Sequence, residues 1–231
     1  MMIMFKKIEP LDKTKHRDIR LSRTQGFGFA KNISAVQLTF SELRYASRFY
    51  PIIFLADRGC IPHALLSLEA GKNLYVDDNG KWKVSYIPAY FRQYPFTLAK
   101  IKKEEDKYAL CLNPDAEHFK SGQGEPLFTA DGKANDFVQK ILSSLKLYQQ
   151  ELVTTEKLFK ELDEKGLIVD KKISFKINQE TKSINGFKGI DVEKLMALDD
   201  KSIAQIVRTG VMRFVYEHLQ SLSNITFLAA K

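Results

Sequence analysis

Four histidines, two cysteines and a single tryptophan are the side chains in this sequence from which chemistry would first be sought. His16 stands between Lys15 and Arg17, a setting suited to proton transfer or to holding an anion, although a hydrogen-bonded structural place is the commoner fate of such a residue. His63 heads an apolar run, and His118 and His218 are isolated. His63, His118 and His218 have no second histidine or carboxylate at ligand spacing, and no metal site is expected. Cys60 and Cys111 lie far apart in unrelated contexts, which suggests neither a disulfide framework nor a thiolate metal site. The acidic run Asp77-Asp78-Asn79-Gly80 begins like a calcium loop, but Pro88 occupies the position where that loop needs a bidentate glutamate. Gly122 and Gly124 form a bare GxG without the strand and helix of a nucleotide-binding turn. No cofactor is expected.

The densest candidate is Asn73 to Phe96, NLYVDDNGKWKVSYIPAYFRQYPF. Trp82, Tyr86, Tyr90 and Arg92 interleave aromatic and basic types as a platform for single-stranded nucleic acid does. The ordinary alternative is that the rings are core and the hydroxyls find internal partners. Nucleic acid is disfavoured because the clustered glycine and aromatic positions of an RNA-binding signature are absent. Tyrosine and tryptophan with an arginine also anchor peptides and proteins. The expected binding set is therefore Trp82, Tyr86, Tyr90, Arg92 and Tyr94, with His16 and Arg17 at its rim. A competing enzymatic reading needs His16, Asp77 and Tyr90 to meet as acid–base groups in the fold.

These residues must be positioned by recognisable elements. Gly26 to Ala30, GFGFA, suggests a strand packed closely on another backbone. Thr39 and Glu42 form a capping box ahead of a short helix over about residues 41–48, which Tyr50-Pro51 ends. PIIFLA and HALLSLEAG read as strands. Leu74–Val76 and Lys81–Val84 read as a hairpin whose Asn79-Gly80 pair suits a type I′ turn. TLAKI and YALCL are strands flanking a charged turn at 102–107, and residues 113–135 are loop-like. From Asn135 a long helix begins, with Phe137, Ile141, Leu145, Tyr148, Leu152, Phe159 and Leu162 on one stripe, room for a bend near Thr154-Thr155, and Gly166 as its C-cap. That stripe packs on the sheet by default and could otherwise serve a partner helix. A second hairpin follows, then short helices capped by Asp191 and by Asp199 or Asp200, with Gly210 separating a third. The fold class is α+β in one domain spanning 1–231. An antiparallel, strongly curved sheet in residues 1–134 packs against the long helix and a C-terminal helical cap, 135–231, with an inserted hairpin near 168–190.

With 44% apolar residues the chain can bury a sizeable core. Its formal charge of +8, concentrated at Lys13, Lys15, Arg17, Arg20 and Arg23, favours acidic partners or simply solubilises the surface. The N-terminus lacks the order of a secretory signal, and no window approaches the roughly 18 to 20 apolar residues of a membrane span. A cytoplasmic protein is expected.

The segments AVQLTFSELRYASRFYPIIF, NLYVDDNGKWKVSYIPAYFRQYPF, GEPLF, KLMALDD and HLQSLSN together resemble the SapC family of bacterial proteins over nearly the whole chain. The shared pattern includes His16, Arg17, Tyr50, Pro51, Asp77, Gly80, Trp82, Tyr86, Pro88, Tyr90, Arg92, Tyr94, Pro95 and Phe96. The resemblance implies a soluble single-domain protein, associated in name with surface-layer loci and in gene content with halogenase-like and cupin-like oxygenases. It therefore implies an accessory role, for which the aromatic and arginine residue types suggest a protein or peptide partner, and it transfers no catalytic residue. An unrelated peptide-uptake permease shares the family's name, and the lack of a membrane span argues against that protein. Family members commonly carry a second arginine where Gln93 stands here, which weakens the case for a paired-arginine anion clamp.

Overall fold

The computed structural model describes residues 4–5, 7–22, 26–101, 108–177 and 180–229. Arg23 of the basic cluster, the charged turn expected at 102–107 and residues 178–179 lie outside them.

The class is α+β. Among the described residues the strands form three antiparallel sheets. The central one has the order β3 (Ala35–Gln37), β5 (Pro62–Leu65), β4 (Ile52–Phe54), β10 (Glu180–Ile190), β9 (Ile168–Ile177). The hairpin expected near 168–190 lies between the long helix and the C-terminal helices. It extends the N-terminal sheet through Lys188 opposite Phe54. β1 (Glu9–Pro10), β7 (Tyr108–Leu112) and β6 (Phe96–Lys100) make a second sheet, and β2 (Arg20–Leu21) pairs with β8 (Glu125–Pro126) in a third.

The long helix and the capped C-terminal helices follow their sequence signals, the helix expected over about 41–48 is shorter, and a short helix at Ala89–Arg92 joins them. α1 spans Leu43–Ala46 behind a 3-10 turn at Phe40–Glu42, and α2 spans Ala89–Arg92. α3 runs unbroken over Asp136–Glu164, its first turn capped by the Asn135 side chain accepting from Val138 N–H, and Gly166 follows its end at φ +68°. α4 (Val192–Met196) and α5 (Asp200–Arg208) are capped by Asp191 and Asp199. Gly210, at φ +78°, separates α5 from α6 (Val211–Ser221), and α7 (Ile225–Ala229) closes the chain.

Two local expectations change. Gly26 to Ala30 is not a strand: Gly28–Ala30 is a 3-10 turn. The close backbone approach is real, because Phe27 N–H donates to the Gly80 carbonyl at 2.6 Å and a Cβ on Gly26 would stand 2.6 Å from that oxygen. The segment at 74–84 is reduced to a Val76–Trp82 bridge. Its turn is centred on Asp78-Asn79, with Gly80 N–H bonded to the Asp77 carbonyl, so Gly80 at φ +78° follows the turn rather than forming half of a type I′ pair.

Two apolar clusters result. The larger centres on Tyr50, Phe54, Phe159 and Phe214, where Phe159 meets Phe54 and Phe214 edge-on at 5.5 and 4.4 Å between centroids. The smaller gathers Leu21, Phe96, Leu112, Leu127, Val138 and Leu145. α3 contributes to both, so it spans the seam between them.

His63 and His218 are buried in this framework. His63 Nδ1 lies 2.8 Å from the Ile61 carbonyl, and His218 Nε2 accepts from Ile190 N–H at 3.1 Å. Burial lowers each from the ordinary 6.5 to about 4. The unfolded chain takes up protons at these sites near pH 6.5 and the folded chain only near 4. Their contribution is therefore complete above about pH 6.5 and is lost as pH falls toward 4. Urea unfolding between pH 7.5 and 4.5 should show stability falling by a few kcal/mol, and His218→Gln should flatten that slope; an unchanged slope would contradict it.

Candidate binding cleft

The buried carboxylate of Glu42 organises the site. Its Oε2 accepts from the N–H and the hydroxyl of Thr39, both at 3.0 Å, which completes the capping box. Its Oε1 accepts from the Tyr86 hydroxyl at 2.9 Å and from Ala89 N–H at 2.6 Å. No cation lies within ion-pair distance of it among the described residues, so these four donors compensate its burial. The capping box thereby fastens the head of α2 and the YIPAY segment to residues 39–42. Burial first, and then the Glu42 charge, push the Tyr86 phenol well above its usual range.

Behind this segment lies a network of aromatic hydroxyls. Trp82 Nε1 donates to the Tyr50 hydroxyl at 2.8 Å, that hydroxyl donates to the Tyr86 carbonyl, and Tyr75 donates to the Phe49 carbonyl at 2.8 Å. Trp82 is buried and packs on Phe27 and Phe91 with centroids 5.5 and 5.2 Å apart.

The opposite wall is α3, held by three long-range hydrogen bonds. Gln37 donates to the Tyr148 hydroxyl at 3.1 Å, Ser41 to Glu151 at 2.7 Å, and Phe40 N–H to Thr155 Oγ1 at 2.8 Å. Between α3 and residues 89–96 opens a cleft of about 950 Å³. Phe27, Phe29, Phe91, Tyr94 and Phe96 line it from one side, and Phe137, Ile141, Leu145 and Tyr148 from the helix. The helical stripe read in the sequence is thus partly wall rather than wholly packed. Arg92 and Lys140 enter the lining from opposite walls, and Glu42, Glu125, Asp136 and Glu151 supply carboxylates.

At one end Phe29 stacks on Tyr94 at 3.9 Å, with the His118 ring 5.2 Å from Tyr94. These three side chains also line a neighbouring cleft of about 410 Å³ beside Gly26, Gly28 and Gly80. Burial lowers the His118 pKa.

Of the residues singled out in the sequence, Arg92 and Tyr94 line the main cleft, whereas Trp82, Tyr86 and Tyr90 are not among its lining. Tyr86 stacks on Tyr45 at 5.7 Å, and its ring lies 6.0 Å from the Arg92 guanidinium. Tyr90 rests against Tyr148 at 6.4 Å. His16 and Arg17 line neither cleft. His16 is buried, its Nδ1 accepting from Asp12 N–H at 2.9 Å with Glu9 3.8 Å from Nε2, and burial lowers its pKa; Arg17 is exposed. Asp77 accepts from Lys81 N–H at 2.8 Å. Among the described residues no hydrogen bond joins His16, Asp77 and Tyr90.

Glu42, Phe29, His118, Lys140 and Tyr148 are additional lining residues. The capping box marked Glu42 and the helical stripe marked Tyr148. No sequence signal brings Phe29, His118 and Lys140 to the same cleft.

Among the described residues no cluster of three metal-binding side chains occurs and no helix is long and apolar enough to cross a membrane. The fold and cleft define an α+β protein with an open, aromatic, cation-bearing groove. The family model described as SapC matches residues 11–228, and the chain belongs to that family. Neither the curated proteins nor the solved structures provide a match.

Replacing Glu42 by alanine leaves the Tyr86 hydroxyl, Ala89 N–H and Thr39 N–H without their acceptor. Unfolding free energy should fall by about 3 kcal/mol in urea titration, and a loss below about 1 kcal/mol would show that the carboxylate does not hold this wall.

Proposed function

We propose that the chain is a non-enzymatic binding protein that acts in the cytoplasm as an accessory of a bacterial surface-layer or protein- or metabolite-modification system. The observation that carries this reading is the cleft, whose walls combine aromatic faces with Arg92 and Lys140. Aromatic rings offer large contact area at little entropic cost, and arginine adds a fork of donors, which is how peptide anchors are held. From Asp136 to Glu151 the helical wall advances about 22 Å, the reach of roughly seven extended residues. An extended segment of a partner protein suits that length. The walls come from both halves of the sequence, which supports reading the chain as one functional unit. Free thiols at Cys60 and Cys111 accord with a reducing compartment.

The family assignment supports the accessory role through the resemblance described above. The binding role rests on the cleft. Arg92 is exposed and makes no ion pair among the described residues, so its truncation should leave the fold intact. Affinity capture from host lysate, read by mass spectrometry, should recover a discrete partner with the unmodified chain and lose it with Arg92→Ala. Tyr216→Ala, on an exposed part of α6 outside the cleft, should retain it. Equal recovery by both variants would remove the cleft from the binding surface.

A further inference from the structure

Three of the four histidines are tied into the fold through one ring nitrogen. His16 and His218 accept from backbone N–H groups, and His63 Nδ1 lies against the Ile61 carbonyl. His118 differs. It sits in a 3-10 turn at Glu117–Phe119, fixed by Ser22 N–H donating to the His118 carbonyl at 2.8 Å. Neither of its ring nitrogens makes a hydrogen bond among the described residues. Nδ1 is closed off from solvent, which leaves Nε2 as the nitrogen open to the clefts that the ring borders. Tyr94 and Phe29 flank the imidazole in T-shaped contacts, at 5.2 and 6.0 Å between centroids. Burial keeps it neutral at physiological pH. A half-buried polar ring without a partner carries a desolvation cost that a bound molecule would offset.

Charge does not choose the occupant of the main cleft, because carboxylates and cations both line it. A neutral hydrogen bond is indifferent to that mixture. According to its tautomer, Nε2 donates or accepts, and a peptide group, which carries both N–H and C=O, answers either. Among the described residues no group of three metal-binding side chains includes His118, so its open nitrogen suits an organic partner better than a metal ion. We infer that His118 is the polar anchor of the main cleft, its Nε2 hydrogen-bonded to a backbone peptide group of an extended partner segment whose side chains rest on the surrounding rings. This rests on reading the cleft as the binding surface and adds the contact that holds the segment in place.

The test uses a peptide selected from a displayed random heptapeptide library on the intact chain and counter-selected on Ser144→Trp. Ser144 is an exposed residue of the helical wall, so that variant obstructs the main cleft without touching the core. Diethyl pyrocarbonate acylates accessible neutral imidazole. With the products located by mass spectrometry, it should modify His118 ahead of the other three histidines, and the peptide should protect that site. His118→Leu and His118→Gln both lose the ring contacts, but only glutamine keeps a polar group near the position of Nε2. Calorimetry should therefore show affinity falling about tenfold in His118→Leu and staying within about threefold of the unmodified chain in His118→Gln, with matching urea midpoints for the two variants. Equal affinities for the two variants, or a His118 that stays reactive under bound peptide, would overturn the anchor and leave the cleft reading standing. Absence of any cleft-dependent peptide would overturn both.

Discussion

A carboxylate removed from water must be surrounded by donors, and Glu42 meets that requirement with groups from two distant stretches of chain. Thr39 satisfies one oxygen as a helix cap would. Tyr86 and Ala89 satisfy the other. An ordinary capping box is local and worth little beyond its helix. Here the same side chain also fixes where residues 86–89 run, and with them α2, Arg92 and the wall that continues to Tyr94. The Trp82–Tyr50–Tyr86 hydrogen bonds hold that wall from behind.

The second wall has its own constraint. α3 is long because it bridges two apolar clusters, and its attachment to residues 37–41 fixes its distance from the YPF segment. The cleft is therefore the seam between two cores, each satisfied on its own side. Filling the seam with protein would require α3 to abandon Gln37, Phe40 and Ser41. The polar attachments at its edge hold α3 at this spacing.

Much of the framework was legible in the residues. The capping box, the caps at Asn135, Asp191 and Asp199, the left-handed glycines at 166 and 210, and the periodicity of α3 are local signals, and local geometry honoured them. The α+β class followed from them. Long-range outcomes were less legible. Phe27 and Phe29 alternate with glycines like a strand, but a neighbouring backbone at Gly80 took the place of strand pairing, and the segment turned into a 3-10 helix. The hairpin at 168–190 reads as self-contained, and only the packed fold shows it completing a sheet begun at Ala35. Within 73–96, alternation cannot separate a ring that faces the core from one that faces a groove. Trp82 is buried in the core and Tyr90 is outside the cleft's lining, while Arg92 and Tyr94 belong to it. Lys140 reads as an ordinary solvated lysine until the opposite wall is in place.

Site-specific photo-crosslinking asks most directly whether this seam receives a partner. With a benzophenone side chain installed at Ser144 on the helical wall, or at Tyr216 on α6 as the comparison, irradiation in the native host should yield a discrete adduct from position 144. Position 216 should give none. An adduct of equal yield from position 216, or none from 144, would contradict the assignment of binding to the cleft.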